Sequence, residues 1–241
     1  MNKFVYLLIT FLFTNYVYSQ HIEVDYKIIT LELQKINEVK DIPDSVIESM
    51  KESFELIKSI KMVLNASKTE SYFFSNTKLA NDANSENFRM AQIMIGSNDV
   101  YHSNLLKNKT KRYFTAYGEK LIMETSIKKL NWILTKETKT ISGYLCYKAE
   151  TNYLIKNSLG SFNKKIIAYY TPEINYRFGP KGFCGLPGLI LELQDDKFVY
   201  VVENIKFKKE NLKLKKLPKG KIVTEDELNK IGDKIKENRK W

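Results

Sequence analysis

The residue types that support hydrolytic catalysis are scarce in this sequence. It contains two histidines, His21 and His102. His21 stands next to the start of the mature chain inferred below, where order is not expected, and His102 follows a tyrosine in a strand-like pattern. A serine or cysteine hydrolase needs a base beside its nucleophile, and neither histidine suits that role. The sequence therefore predicts no catalytic residue of this class.

Carboxylates near a glycine-rich segment leave one catalytic class open. They are Glu173, Glu192, Asp195, Asp196 and Glu203. Glycosidases can run on two acids alone, so a carboxylate-dependent hydrolase acting on glycans is the alternative. The simpler interpretation of Asp195-Asp196 is a hairpin turn.

Cofactor chemistry finds no support in the motifs. The cysteines and histidines lack the spacing of a structural zinc site. The glycine-rich segment lacks the GxxxxGK[ST] order of a phosphate-binding loop and is not followed by a helix. The sequence predicts no cofactor and no metal.

The first nineteen residues have the pattern of a secretory signal peptide. A positive start at Lys3 precedes an apolar run over 4–13, and Val17-Tyr18-Ser19 supplies small residues at a cleavage site. The run is too short to span a membrane, which takes about 20 apolar residues. We expect cleavage near Ser19–Gln20, export to the periplasm or beyond, no transmembrane segment in the mature chain, and a single domain over 20–241.

Export changes the interpretation of the cysteines and of the charge. In an oxidising compartment the pair Cys146 and Cys184 predicts one disulfide, with two buried free thiols as the alternative. The formal net charge of +11 favours anionic partners. Outside the cytosol these are an envelope protein, a glycan or an anionic surface, and no nucleic acid is expected. A basic surface that solvates a β-rich domain is the simpler explanation of the charge.

Short alternating segments with turn residues between them predict a mainly β fold. One helix is expected near the N-terminus, where Ile47, Met50, Phe54 and Ile57 have helical spacing. A second is expected at the C-terminus, where Thr224 and Glu227 form a capping box. Strands are predicted over 22–33, 61–64, 70–75, 90–95, 100–105, 112–117, 120–125, 132–134, 140–154, 165–171, 189–194 and 197–207, with further alternation at 212–215.

The absence of βαβ alternation favours an antiparallel meander. Two helices are too few to cover both faces of a large sheet. We therefore expect a curved antiparallel sheet of the α+β class, half-barrel or bowl-like, with a helix in its concavity. A closed lipocalin-like barrel is the competing architecture.

The most distinctive segment, 179–193, reads GPKGFCGLPGLILEL. Leu186-Pro187-Gly188-Leu189 suits a type II turn with positive φ at the glycine, and residues 179–182 suit a type I turn. Leu189 and Ile190 begin a buried strand.

This segment carries a family resemblance. The run 185–190, preceded by Gly179-Pro180, resembles the signature of the GLPGLI family of exported Bacteroidota proteins. Trp132, the segments 139–144 and 168–174, Cys146 and Lys148-Ala149 resemble the blocks that flank it. The motif residues are Gly179, Pro180, Gly185, Leu186, Pro187, Gly188, Leu189 and Ile190.

The resemblance implies an exported β-rich domain without an assigned activity or catalytic residues. It also implies a loose association with bowl-shaped modules of secreted glycan-processing enzymes. We therefore predict a non-catalytic exported domain that binds an envelope partner or a glycan, or else a structural scaffold. The predicted contact loop is 176–188, through Tyr176, Arg177, Lys181 and Phe183, although core packing of its aromatic side chains is the competing interpretation.

Overall fold

The computed structural model describes residues 21–31, 43–76, 86–157, 160–195, 197–209 and 216–238. The predicted signal peptide, its cleavage site and the alternation at 212–215 lie outside these residues. The helices are α1 (Asp44–Ile57), α2 (Glu86–Ile95) and α3 (Glu225–Asn238). The strands are β1 (His21–Thr30), β2 (Met62–Ala66), β3 (Glu70–Ser75), β4 (Val100–Asn104), β5 (Lys109–Ala116), β6 (Glu119–Ser126), β7 (Ile133–Ile141), β8 (Tyr144–Asn157), β9 (Gly160–Thr171), β10 (Leu189–Asp195), β11 (Phe198–Lys208) and β12 (Lys221–Val223).

The strands form one open, curved sheet in the order β12-β6-β5-β4-β3-β2-β1-β11-β10-β9-β8-β7. The prediction of a mainly β, half-open fold is confirmed, and the closed barrel is not formed. Two pairings differ from the expected meander. β1 pairs with β11, which is far from it in the chain, and β12 forms one edge of the sheet by pairing with β6 in parallel. The chain reaches that edge only after completing the other eleven strands.

Alternating side chains explain why β1 lies at the centre of the sheet. Ile22, Val24, Tyr26 and Ile28 are buried, and Lys27 between them is exposed. Such alternation buries one face of a strand. β1 pairs with β11 on one side and β2 on the other, so this face lies in the middle of the core.

The helix α2 occupies a segment for which the sequence predicts a strand. The β-branched and large apolar residues of 90–95 favour a strand, because they are common in sheets. In the structure Phe88, Ala91 and Ile95 are the buried residues of α2. Their spacing of three and four residues is helical, and it begins before residue 90.

We call the sheet face that carries Tyr26, Phe73 and Tyr200 the inner face, and the opposite face the outer face. The helices α1 and α2 cover part of the inner face. The ring of Phe54 in α1 lies 6.3 Å from that of Phe198, and the Tyr200 hydroxyl donates to the Ile95 carbonyl at 3.1 Å. The core of the protein therefore lies inside the curve of the sheet.

The curvature brings distant strands towards each other across the inner face. The turn Ile127–Leu130 contacts both β6 and β8, and α3 contacts β8 although it follows β12. α3 begins at the predicted capping box, where the Glu227 amide donates to Thr224 Oγ1 at 3.2 Å and the Thr224 amide donates to Glu227 Oε2 at 2.8 Å. Among the described residues, no helix is long and apolar enough to cross a membrane.

Candidate functional site

The predicted contact loop, residues 176–188, fills the inside of the sheet. Tyr176 and Phe178 are 2% and 1% exposed, and Phe183 is also buried. Phe183 packs edge-on against the rings of Trp132 and Tyr153. The core-packing interpretation therefore describes these aromatic side chains, and Tyr176 and Phe183 do not form a contact surface.

Hydrogen bonds close this loop on itself. The exposed side chain of Arg177 donates from Nη2 to the Gly185 carbonyl at 2.7 Å and from Nε to the Leu186 carbonyl at 3.3 Å. Trp132 Nε1 donates to the Cys184 carbonyl at 2.9 Å. Arg177 was predicted to contact a ligand, but its guanidinium satisfies carbonyl groups of its own loop.

Close packing explains two glycines of the motif, Gly179 and Gly188, whereas Gly185 has a positive φ of 94°. A Cβ at Gly188 would lie 2.0 Å from the Thr171 carbonyl oxygen, and one at Gly179 would lie 2.6 Å from Ile190 Cβ. Gly188 does not have the positive φ that a type II turn requires. The predicted type I turn is also displaced, since the Phe183 amide donates to the Pro180 carbonyl and Lys181 has a φ of 53°.

The predicted Cys146–Cys184 disulfide is not formed, and both cysteines are buried free thiols. Cys146 on β8 lies opposite Lys139 on β7, and Lys139 Nζ lies 2.6 Å from Glu192 Oε1 on the outer face. Cys184 lies on the inner face, 4.0 Å from Thr110 Oγ1. The sheet separates the two sulfurs, and burial raises the pKa of each thiol to about 11.

Those of the predicted acidic candidates that the structure describes do not assemble into a catalytic pair. Glu173 is exposed and accepts from the Leu145 amide at 3.2 Å, and Glu192 is ion-paired with Lys139. Glu203 is exposed on β11, and Asp196 lies outside the described residues. Asp195 is different, because its carboxylate is 5% exposed and faces the inside of the sheet.

Asp195 belongs to a group of polar side chains that we call the inner-face cluster. Lys164 Nζ lies 2.6 Å from Asp195 Oδ1, and Lys181 Nζ contacts Asp195 Oδ2. A second ion pair joins Arg112 and Asp99, with Arg112 Nη2 at 2.6 Å and Nε at 2.7 Å from Asp99 Oδ2. The cluster consists of Asp99, Tyr101, Arg112, Tyr153, Lys164, Lys181, Asp195 and Tyr200.

Register places these residues on one face. Tyr101 lies opposite Arg112, and Tyr153 lies opposite Lys164. Residues opposite each other in an antiparallel pair point to the same side of the sheet. Lys181 reaches the cluster from the loop 176–188, and Gly182 beside it packs so closely on β4 and β5 that a Cβ would lie 2.6 Å from Thr110 Cγ2.

Electrostatics hold the cluster in its charged form. Burial disfavours the Asp195 carboxylate, but the ammonium groups of Lys181 and Lys164 outweigh this effect and lower the pKa of Asp195. Burial likewise opposes the charge of Lys181, yet Tyr200 and Asp195 beside it raise its pKa. Lys181 and Asp195 are therefore both ionised at neutral pH.

Two phenols connect the two ion pairs. Burial raises the pKa of Tyr101 and of Tyr153, and the positive charges of Arg112 and Lys181 act on both phenols in the opposite direction. The two cations therefore converge on the same pair of side chains. Tyr101 also donates to Asp99 Oδ2 at 3.4 Å.

The cluster leaves its cations and one phenol partly open to solvent. Tyr153 is 42% exposed, and the side chains of Arg112, Lys164 and Lys181 are 35%, 26% and 20% exposed. The acids beneath them are covered. Chemically, the surface offers hydrogen-bond donors and an aromatic ring, and its carboxylates are already neutralised.

Two members of this cluster are among the predicted site residues, Lys181 as a contact and Asp195 as a turn residue or an acid. One signal could have identified the role of Asp195. It stands two residues after Leu193, at an inward position of an alternating strand, and a charged residue at such a position is rarely left unpaired.

Comparison with known proteins gives a family match over a short segment and a similarity of fold. A family model described as "Protein of unknown function (Porph_ging)" matches residues 156–192. This segment contains Lys164, Lys181 and the run 185–190. The match assigns no activity, and it does not name the GLPGLI family that the motif resembles. No curated protein matches the chain.

Two solved structures of PNGF-II resemble the chain. The structures in space groups C2 and P21 have TM-scores of 0.48 and 0.50 and identities of 17% and 19%, over 85% of this chain. The chain spans 31% of the length of those proteins. At such identity, the P21 structure supports a shared fold and nothing more.

Proposed function

We propose that this chain is a non-catalytic binding domain of the cell envelope, and that the inner-face cluster contacts its glycan or envelope partner. The observation that carries the proposal is the partly exposed set of Arg112, Lys164, Lys181 and Tyr153 above two buried carboxylates. Export through the leader 1–19 is part of the same proposal.

The geometry of the cluster suits recognition because its donors are held in place. Each cation contacts a carboxylate, so little side-chain freedom remains to be lost when a ligand binds. Tyr153 presents an aromatic ring beside these donors, and its own position is supported by Phe183 at 6.5 Å between ring centroids. Aromatic rings next to polar groups are common in binding sites.

This proposal moves the contact surface away from the loop 176–188 as a whole. Its aromatic side chains lie in the core, and Arg177 binds carbonyl groups of the loop. Lys181 is the member of the predicted contact set that belongs to the cluster. The loop therefore contributes one cation and supports the rest of the surface from beneath.

The same geometry gives no support to acid–base chemistry. A glycosidase needs one carboxyl group that can hold a proton near neutral pH. Asp195 has a lowered pKa between two lysines, and Asp99 is bound by Arg112. Both acids are therefore suited to fixing cations rather than to transferring protons.

The test uses a panel of envelope glycans with the full mature chain and two variants. Tyr153→Ala removes the exposed ring of the cluster. Phe207→Ala removes a ring of similar exposure, 54%, about 23 Å along β11 from Tyr200. The proposal predicts that one glycan class is retained by the wild type and by Phe207→Ala and is lost by Tyr153→Ala.

Two results would overturn this proposal. Equal retention by Tyr153→Ala and the wild type would place the contact elsewhere. Release of a reducing sugar by the wild type would identify a hydrolase instead. If no glycan class and no identified envelope protein is bound, the scaffold interpretation replaces the proposal.

A further inference from the structure

We infer that the ligand of the inner-face cluster is acidic, an oxyanion-bearing saccharide whose carboxylate binds the ammonium groups of Lys164 and Lys181. The inference rests on the proposed function and narrows it to one class of ligand. It follows from which hydrogen-bonding groups of the cluster remain available, from their net charge and from the way the cations are held in place.

The cluster offers a ligand more hydrogen-bond donors than acceptors. Asp195 uses one oxygen for Lys164 and the other for Lys181. Asp99 Oδ2 accepts from Arg112 and Tyr101. An ammonium group has three donors and no acceptor. Each lysine therefore retains donors after its contact with Asp195. The carboxylates of Asp195 and Asp99 are only 5% and 10% exposed, so their remaining lone pairs are covered and are not offered to a ligand.

A neutral sugar fits this balance poorly. Each of its hydroxyl groups donates as well as accepts, so a site for neutral sugar needs acceptors of its own. A carboxylate or phosphate accepts only, and charge-assisted hydrogen bonds to it are roughly twice as strong as neutral ones. The chemistry that is left free in the cluster therefore matches an oxyanion.

The cluster carries more positive than negative charge. Lys164, Lys181 and Arg112 carry three positive charges against the two negative charges of Asp99 and Asp195, an excess of one. The two lysines contact the same carboxylate, so their ammonium groups lie side by side. Removal of such charges from water is unfavourable, and a ligand anion relieves that cost by pairing with them.

Two cations of the cluster, Lys181 and Arg112, are preorganised. Lys181 has a φ of 53°, a left-handed conformation that is unfavourable for a side chain larger than glycine. The loop 176–188 and the contact with Asp195 keep it there. The guanidinium of Arg112 is held over the Phe114 ring at 4.6 Å as well as by Asp99. Both cations are thus fixed before a ligand arrives.

One further negative group lies near Tyr153 of the cluster. Glu225, the first residue of α3, acts electrostatically on Tyr153 and is exposed. It repels an incoming anion and has no such effect on a neutral sugar. Loss of a cation of the cluster should therefore weaken binding of an anionic ligand, and loss of the Glu225 carboxylate should strengthen it.

The experiment measures binding of tetragalacturonate and of its uncharged methyl ester by titration calorimetry, at low and high NaCl. Lys164→Gln removes one cation of the cluster. Lys165→Gln is the matched control, because the neighbouring lysine pairs with Glu150 on the outer face. Circular dichroism confirms that each variant is folded.

The inference predicts that the acid binds at least tenfold more tightly than the ester and that its affinity falls as salt rises. Lys164→Gln weakens the acid about tenfold, Glu225→Gln strengthens it about threefold, and Lys165→Gln changes it less than twofold. Inorganic phosphate should compete with tetragalacturonate only at millimolar concentration, which would show that the cluster recognises the saccharide and not a free anion alone. Competition at micromolar concentration would assign the specificity to a free phosphate and overturn the saccharide half of the inference.

Failure of the inference can be distinguished from failure of the proposed function. If the ester binds as tightly as the acid and is lost in Tyr153→Ala, the cluster is a site for neutral glycan and only the inference is wrong. If neither probe binds and the glycan panel is also negative, both are wrong. Equal effects of Lys164→Gln and Lys165→Gln would show that general surface charge, and not the cluster, attracts the acid.

Discussion

Replacement of Gly188 by alanine should be among the most damaging small substitutions in this protein. A Cβ at this position would lie 2.0 Å from the Thr171 carbonyl oxygen and 2.9 Å from the Pro172 nitrogen, whereas real Cβ contacts stay beyond 3.0 Å. The obstructing atoms belong to the backbone, so no side chain can rotate away. Residue 188 and residue 171 must separate by about 1 Å.

The size of the destabilisation depends on the contacts that a separation of residues 188 and 171 would disturb. Thr171 pairs with Leu189 at the start of the β9–β10 ladder, and both residues are fully buried. Overpacking a core costs typically about 1–3 kcal/mol, and a backbone obstruction belongs at the upper end. We expect Gly188→Ala to lower the free energy of unfolding by about 3 kcal/mol.

The matched control is Gly118→Ala, in the turn between β5 and β6. Gly118 has a φ of +78°, and no atom lies within 4 Å of the position that a Cβ would take, so alanine there suffers only conformational strain. That strain is about 1 kcal/mol. Urea unfolding followed by circular dichroism should therefore shift the midpoint by about 1 M for Gly188→Ala and about 0.3 M for Gly118→Ala, with a slope of about 3 kcal/mol/M. Equal shifts would refute the close-packing explanation of Gly188.

Three further predictions concern the cluster, the thiols and the cap of α3. The folded-state pKa of Asp195 lies below its ordinary value of 3.8, so the stability that its carboxylate contributes is present above that value and is lost as pH falls through the lowered pKa. Asp195→Asn should therefore lower the free energy of unfolding by about 3 kcal/mol at neutral pH and flatten its pH dependence between about pH 5 and 2. An unchanged acid unfolding transition in this variant would contradict the ion pairs of Asp195. Cys146 and Cys184 should resist a thiol reagent in the native state and both react in denaturant without a reductant, whereas an absence of thiols would reveal a bridge. Thr224→Ala should speed hydrogen exchange in the first turn of α3 about fivefold through loss of the cap, and unchanged exchange there would mean that the cap contributes little.

Much of the fold could be predicted because its signals are local. The alternation of Val24, Tyr26 and Ile28 is enough to place β1 with one buried face, and a capping box marks the start of α3 wherever it occurs. Both features depend on residues within a few positions of each other. The same holds for α1, whose apolar residues recur at helical spacing.

The elements that were missed depend on distant partners. Met90 to Ile95 suits a strand as well as a helix, and the packing of Phe88 and Ala91 in the core decides for α2. The parallel pairing of β12 with β6 joins segments about a hundred residues apart in the chain. Nothing near residue 221 indicates which strand it will pair with.

The disulfide prediction was wrong for a related reason. An even number of cysteines in an exported chain favours a bridge, but the bridge also requires both sulfurs on one side of the sheet. Register places Cys146 on the outer face with Lys139, and Cys184 lies inside. The face of each residue follows from the pairing of strands, which spacing along the chain does not reveal.

The candidate site was the least predictable part, because its charged residues come from separate strands and from one loop. Arg112 and Lys164 each look like ordinary surface residues in their own segments, whereas Asp195 stands at an inward position of its strand. Their meeting requires the curvature of the sheet and the insertion of the loop 176–188. The loop 176–188 carries Lys181 to Asp195 and packs its aromatic rings in the core, whereas the sequence analysis expected those rings to be displayed.

The most direct test of the proposed contact surface is a nuclear magnetic resonance titration of residues 20–241 with tetragalacturonate, observing backbone amides and lysine side chains. If the inner-face cluster is the contact surface, the largest shifts fall on Tyr153, Lys164 and Lys181, and they disappear in Lys164→Gln but persist in Lys165→Gln. Shifts confined to the outer face around Lys139, or to the exposed side chain of Arg177, would contradict it.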